Sequence, residues 1–382
     1  MNTASAAVPP KRDPRIDVLR GMALVMIFVD HIPGNALSLA TLHNFGFSDA
    51  AEVFVLLDGM SAMLAYGTTF EREGMRGGLR RVALRCARLY AFQIGLLLAT
   101  IAIVQIWTNH YEIAPTVIRP ILSAPLAGLM HGVLLHAVPS YLNILPLYFV
   151  LLAAFPLVYL GLRFDRRLAL GLSAALWLAA NLNSNLNLPN WMDGEHWFFN
   201  PFAWQFLFTI GGALALTADH HGTLPRPAWV MWPCVAFLGF AFLESAPWSD
   251  WHLPDLRPFA LAPPDKTQLA ALRILDILAL AYLVLGTTWL RAPAVQRIVR
   301  PLEACGRHSL EVFAVGCILA LLGRLEFRTH GAGLTTQIAV NIVGIAIMVL
   351  IGMWLERRQM RAKDAMVVTP RVDANRGPVR AV

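Results

Sequence analysis

Apolar stretches close to 20 residues long recur along this chain and constrain its fold more than any other feature. A helix of about 20 apolar residues crosses the ~30 Å hydrocarbon core of a bilayer. Of the 382 residues, 57% are hydrophobic and only 14% are charged, whereas about 25% of a soluble domain is charged. The pattern predicts an all-α, polytopic integral membrane protein and excludes a disordered chain, a coiled coil and a disulfide-stapled secreted scaffold. We assign about ten transmembrane helices, to residues 18–34, 50–69, 83–107, 143–162, 168–182, 202–218, 228–243, 268–290, 308–323 and 335–355.

The distribution of basic residues predicts how these helices are oriented. Lys and Arg are concentrated in the cytoplasmic connections of membrane proteins. If the N-terminus is cytoplasmic, most of the 31 Lys and Arg residues fall on the inner side of the membrane. We therefore expect both termini in the cytoplasm, with a single transmembrane domain over 15–356 between tails at 1–14 and 357–382. The same bias explains the net charge of +7, so membrane lipids are expected partners and nucleic acid is not.

The first apolar span contains the leading candidate for chemistry. An ionisable side chain in hydrocarbon costs at least about 2.5–3.5 kcal/mol and usually faces a protein-lined or water-filled cavity. Arg20 lies at the predicted cytoplasmic end of the span, and His31 follows eleven positions later, about 16 Å along a helix. Histidine accepts and returns a proton near neutral pH. We therefore predict that His31 is a catalytic base near mid-membrane, with the adjacent Asp30 as one candidate partner.

The second span offers another partner for His31. In the predicted topology it runs inward from the outer face, which places Glu52 near that face and Asp58 about 9 Å deeper. This arithmetic predicts that Asp58 and His31 lie at similar depths and share a catalytic role. The alternative is a polar pair that only fixes helix packing.

The third span opens with three arginines on one helical face. Arg81, Arg85 and Arg88 stand at positions i, i+4 and i+7, which a helix brings to the same side. The planar guanidinium donates two parallel hydrogen bonds to phosphate oxygens. The spacing favours a phosphate-rich cytosolic ligand, and the alternative is contact with anionic lipid headgroups.

Other polar residues give weaker signals. Asn200, Trp204 and Gln205 lie at the outer start of the sixth span and could contact a polar acceptor, although an interfacial aromatic belt explains the tryptophan equally well. The four cysteines and the outer-loop histidines form no metal-ligand spacing. We therefore predict no metal site.

Five strings in the same order resemble one family of membrane enzymes. They are RIDVLRGMALVMIFVDH, AEVFVLLDGMSAMLAYG, NILPLYFVLL, FNPFAWQFLF and GRHSLEVF. Together with the R-x10-H and R-x-x-R signatures, they resemble the OpgC branch of the acyltransferase-3 superfamily, whose members succinylate osmoregulated periplasmic glucans. The resemblance implies that His31 is the catalytic base and that Arg20, Arg85 and Arg88 belong to the acyl-CoA side of the site. It also implies a location in the bacterial inner membrane.

The resulting hypothesis is O-acyl transfer from a cytosolic coenzyme A thioester, succinyl-CoA or acetyl-CoA, to a periplasmic glycan acceptor. The glycan would enter through a polar mouth near Glu52, Asn200 and Gln205. A succinyl group would need a further cation near the reaction centre, and the sequence leaves six outer-side candidates open. These are Arg119, Arg257, Lys266, Arg273, Arg324 and Arg328. The rival class is a transporter or channel for a small anionic solute, because charged residues in membrane helices also mark solute pathways.

Overall fold

The described residues form a bundle of helices joined by turns and by longer connections, which include 31–49, 183–200 and 246–270. The computed structural model describes residues 13–112, 118–192, 194–217, 227–287 and 292–368. Its helices are α1 (Pro14–Asp30), α2 (Ala50–Ala62), α3 (Thr68–Tyr111), α4 (Arg119–Ser123), α5 (Pro125–Val133), α6 (Ile144–Phe164), α7 (Arg166–Leu182), α8 (Pro201–Thr217), α9 (Ala228–Ser245), α10 (Ala271–Leu285), α11 (Pro293–Arg307), α12 (Ser309–His330) and α13 (Leu334–Val368). A π-helical turn, Met63–Gly67, joins α2 to α3. Strands β1 (Pro189–Asn190) and β2 (Glu195–His196) pair antiparallel in the connection before α8.

Each predicted apolar span falls on a helix, and the all-α prediction is confirmed. Within the described ranges, 4 helical stretches are long and apolar enough to cross a membrane: Ala50–Tyr111, Ile144–Phe164, Ala228–Ser245 and Leu334–Asp364. Pro201–Thr217 is apolar but shorter. The number of crossings and the side of each terminus stay predictions. Of the two predicted tails, residues 1–12 and 369–382 lie outside the described residues, and α13 continues beyond position 356 as far as Val368.

Local signals set the ends of the two helices that frame the site. α1 begins where the Asp13 side chain accepts a hydrogen bond from the backbone N–H of Arg15 at 3.0 Å, the usual role of an N-cap carboxylate. It ends at Asp30, and His31 is its C-cap residue. α2 begins with a capping box. The Asp49 side chain accepts a hydrogen bond from the backbone N–H of Glu52, and the Glu52 side chain accepts one from the backbone N–H of Asp49. The C-terminal end of α1 therefore presents His31 beyond the helix, beside the first turn of α2.

Glycines allow the central helices to approach closely. A Cβ at Gly306 of α11 would lie 1.8 Å from the carbonyl oxygen of Asp17 in α1, and one at Gly21 would lie 2.0 Å from that of Leu302. Gly59 of α2 meets the backbone of α8 in the same way. Small residues at such crossings are typical of helices that associate in membranes. These contacts fix α1 and α2 against their neighbours and hold the site's framework.

Candidate active site

A partly open cavity of about 870 Å³ lies at the C-terminal end of α1. Its wall combines the end of α1 and the start of α2 with three connecting segments, at 138–144, 184–199 and 265–268. Aromatic, amide and imidazole side chains of the second segment line much of it, namely Asn187, Asn190, His196, Trp197, Phe198 and Phe199. Flat aromatic faces beside hydrogen-bonding amides suit a ligand with both apolar and hydroxyl surfaces.

His31 lies in the wall of this cavity, as a catalytic base requires. Its backbone N–H completes the last turn of α1 by bonding Ile27 O at 3.0 Å. Its ring meets the ring of Tyr141 edge-on, with centroids 5.1 Å apart. In the described part of the chain, no group hydrogen-bonds to the imidazole nitrogens. Both nitrogens are therefore available to a ligand.

Tyr141 borders both this cavity and a second one. The second cavity, of about 340 Å³, is also lined by Tyr141 and by Arg324 of α12. The guanidinium carbon of Arg324 lies 4.1 Å from the centre of the Tyr141 ring. Tyr141 has a φ of 73°, a left-handed conformation that costs free energy in a residue other than glycine. The surrounding packing therefore holds this ring in place against a local backbone preference.

Asp30 faces the same cavity but is not aimed at His31. Its carboxylate accepts a hydrogen bond from Thr41 Oγ1 at 2.6 Å and lies 3.4 Å from Nδ1 of His43. Asn44 Nδ2 lies 2.9 Å from the other nitrogen of that ring. Successive residues of a helix point about 100° apart, which explains why neighbours in sequence have different partners. His43 lies outside the apolar spans and was therefore not among the predicted site residues.

The prediction that Asp58 lies at the depth of His31 is wrong. Asp58 forms an ion pair with Arg20 at 2.9 Å, and both side chains are buried. Arg20 also donates to Ser61 Oγ at 2.7 Å and to Leu57 O at 3.2 Å. The depth estimate failed because His31 lies level with the first turn of α2, whereas Asp58 is about 12 Å further along that helix. Asp58 belongs with Arg20, at the other end of α1.

The arginines of α3 have different environments. Arg85 is partly buried, and the groups that act on its charge include Asp58, Tyr66 and Tyr148. Arg88 is half exposed and pairs with Glu311 of α12. Arg20 therefore contacts Asp58 directly, and Arg85 lies within electrostatic range of the same carboxylate.

Arg81 is the first of the three predicted arginines of α3. It is exposed, and its guanidinium lies 3.4 Å from Thr69 Oγ1. Neither it nor Arg20, Arg85 or Arg88 lines the cavity around His31.

The predicted polar mouth does not coincide with this cavity, because its residues bond to other parts of the fold. Glu52 is fully buried, accepts a hydrogen bond from Arg273 Nε at 2.7 Å and caps α2. Gln205 exchanges hydrogen bonds with Ser173 of α7, at 2.6 and 2.8 Å. Neither side chain lines the cavity. Their hydrogen-bonding groups are already satisfied by the fold.

Asn200 and Trp204 form hydrogen bonds with residues of the cavity wall and its neighbouring backbone. Asn200 donates to Gln268 Oε1 and to Leu186 O, both at 2.7 Å. Trp204 Nε1 donates to the carbonyl oxygens of Lys266 and Thr267, at 3.1 and 3.2 Å. These bonds fix the 265–268 segment, whose residues do line the cavity. Asn200 and Trp204 therefore hold part of the cavity wall in place, although neither side chain lines the cavity.

The charged side chains that act on His31 include Arg324, Lys266 and Asp49. Lys266 pairs with Asp49, which Arg273 also contacts at 3.2 Å. The charge of Lys266 is therefore compensated within the fold. Among the described residues, no group of three or more His, Cys, Asp or Glu side chains is arranged to hold a metal ion.

The sequence matches the model of a known protein family. The family model described as "OpgC protein" matches residues 12–360. Because the match covers most of the chain, the protein belongs to the OpgC family, which indicates an acyltransferase that modifies a glucan. The comparison with curated proteins found no match.

Proposed function

We propose that this member of the OpgC family is a membrane O-acyltransferase that moves an acyl group, preferably succinyl, from a cytosolic coenzyme A thioester to a hydroxyl of a periplasmic glycan. The observation that carries the proposal is the His31 imidazole, which has no hydrogen-bond partner among the described side chains and lies in the wall of an 870 Å³ cavity. A free imidazole beside aromatic and amide groups suits the deprotonation of a bound sugar hydroxyl.

In the proposed reaction, a nitrogen of His31 accepts the proton of the glycan hydroxyl as its oxygen attacks the thioester carbonyl carbon. The new C–O bond forms an ester, the C–S bond breaks, and the thiolate of coenzyme A leaves. His31 then returns its proton to the thiolate sulfur. Direct transfer and transfer through an acyl-histidine use the same groups.

The donor is proposed to bind with its phosphates at the arginines of α3. Arg88 is half exposed, and Arg85 lies one helical turn before it, near Arg20. Arginine forks match phosphate oxygens. Arg20 lies about 16 Å from His31 along α1, so the slender pantetheine arm would have to cross that depth.

The topology proposal follows from the charge bias. We infer ten crossings with both termini in the cytoplasm, which places the cavity of His31 at the periplasmic side of the inner membrane. A cysteine introduced at the exposed position Asn185 should then react with a membrane-impermeant maleimide in intact cells. A cysteine at the exposed Arg300 should react only after permeabilisation. The opposite labelling would refute this orientation.

The decisive experiment measures release of free thiol by the purified protein given succinyl-CoA and periplasmic glucan. We expect His31→Asn to lower the rate 10²- to 10⁴-fold, the usual contribution of a general base. The matched control is His252→Asn, which removes an exposed loop imidazole outside the cavity. Normal turnover by a folded His31→Asn protein would remove the role of His31. A wild-type protein that moves an anionic solute without releasing thiol would favour the transporter class instead.

A further inference from the structure

Arg324 is an unusual cation for the interior of this protein. Its Nε and Nη1 atoms are buried and have no hydrogen-bond partner in the described part of the chain. The groups that act on its charge include no carboxylate. Its partner within the fold is the neutral side chain of Tyr141. A buried charge without an opposite charge costs several kcal/mol, so this arrangement favours an anionic partner from outside the protein.

Its position relates Arg324 directly to His31. Both contact the Tyr141 ring, whose centre lies 4.1 Å from the guanidinium carbon and 5.1 Å from the imidazole centre. These two distances place the guanidinium carbon no more than roughly 9 Å from the imidazole centre. We propose that Arg324 binds the terminal carboxylate of the acyl group and selects donors that carry one. This inference rests on the proposed function.

A four-carbon dicarboxylic acyl group is long enough to span this interval. Its carboxylate carbon lies three bonds from the thioester carbonyl carbon, and three bonds in extended form span about 3.8 Å. A hydrogen bond of about 2.8 Å at each end, to the guanidinium and, through the attacking hydroxyl, to His31, adds further reach, so the acyl group follows a bent path past the Tyr141 ring. An acetyl group has no atom that could reach Arg324.

The surroundings of Arg324 suit this role. The second cavity has apolar walls, including Leu321, Leu325 and Pro33, which suit the two methylene groups of such a chain. An ion pair gains strength in such surroundings, because the effective dielectric constant is low. The other cation near His31, Lys266, is already paired with Asp49. Arg328 lines the same cavity but already has an interaction within the protein, so Arg324 is the better candidate of the two.

The test compares succinyl-CoA with acetyl-CoA as donors, in thiol-release assays with periplasmic glucan. For the wild type we expect a higher kcat/KM with succinyl-CoA. Arg324→Gln should lower that value about 10- to 100-fold, as expected for loss of a charge-assisted hydrogen bond, and should leave the acetyl-CoA value within about threefold. Arg324→Lys should recover part of the loss because it keeps the charge. The matched control, Arg119→Gln, removes an exposed cation that lines neither cavity and should change neither value.

Melting temperature separates binding from a structural role. Because removing an uncompensated buried charge offsets the lost contact with the Tyr141 ring, Arg324→Gln should not lower the melting temperature of the ligand-free protein. A marked loss of stability, an equal loss with both donors, or a wild-type preference for acetyl-CoA would overturn the inference and leave the acyltransferase proposal standing. Absence of thiol release by the wild type with both donors would refute both.

Discussion

Removing the Asp58 carboxylate should destabilise the protein strongly, because it leaves the Arg20 guanidinium buried without its main partner. Arg20 and Asp58 are only 5% and 3% exposed, and their charged atoms lie 2.9 Å apart. Breaking a buried pair from one side costs about 3–5 kcal/mol. Asp17 remains 3.9 Å from Arg20, which places the expected loss for Asp58→Asn near ~3 kcal/mol.

This loss should be visible in thermal unfolding. In chains of more than 150 residues, each kcal/mol shifts the melting temperature by about 2–4 °C. Asp58→Asn should therefore lower it by on the order of 6 °C in detergent, followed by intrinsic fluorescence. The matched control is Asp255→Asn, which breaks an exposed pair with Arg257 at 2.6 Å and should leave the melting temperature unchanged, since such pairs contribute little.

A double-mutant cycle tests whether Arg20 and Asp58 act as a pair. Replacing both partners, as in Arg20→Met with Asp58→Leu, removes the uncompensated charge and should recover most of the stability lost in either single variant. Losses that simply add would show that the two side chains do not act as a pair. An Asp58→Asn protein as stable as the Asp255→Asn control would refute the assignment of Asp58 to the fold.

Two further predictions concern the framework of the site. Gly306→Ala would place a Cβ 1.8 Å from the Asp17 carbonyl oxygen and should lower the melting temperature through overpacking, a cost of about 1–3 kcal/mol. The control Gly95→Ala, whose Cβ would have nothing within 4 Å, should be neutral or stabilising. Equal stability of the two variants would contradict the close approach of α1 and α11. Asn200→Ala should cost about 1–3 kcal/mol because it leaves the Gln268 and Leu186 oxygens without their donor, while the KM for glucan changes little below the melting transition. The exposed Asn185→Ala is its control, and a large change in KM without loss of stability would return Asn200 to the binding site.

Much of the helical architecture is predictable because its cause is local. Apolar runs of membrane length form helices wherever they occur, and each predicted span does coincide with one. The candidate site was only partly predictable. His31 and Arg20 stand out as charged groups in an apolar run, and both occupy notable positions in the structure. Asp58 was assigned the wrong partner, because a depth estimate cannot say which turn of one helix lies beside which turn of another.

The cavity residues were hidden for a different reason. Tyr141 and His43 lie in connections, where no periodicity reports which way a side chain points. Glu52 and Trp204 looked functional because polar or amphipathic groups at membrane depth are rare, yet the fold uses them to cap α2 and to hold the 265–268 segment. A buried polar group signals that a partner is required, without showing whether that partner is protein or ligand.

The sequence by itself determined the helical class, the apolar spans, the family and the two ends of α1 that carry the candidate residues, because each of these depends on residue type and spacing along one segment. Only the tertiary structure decided that Arg20 pairs with Asp58, that Lys266 is compensated by Asp49, and that Arg324 and His31 contact the same Tyr141 ring. Those contacts join residues far apart in the chain, and their energies depend on the packing of whole helices.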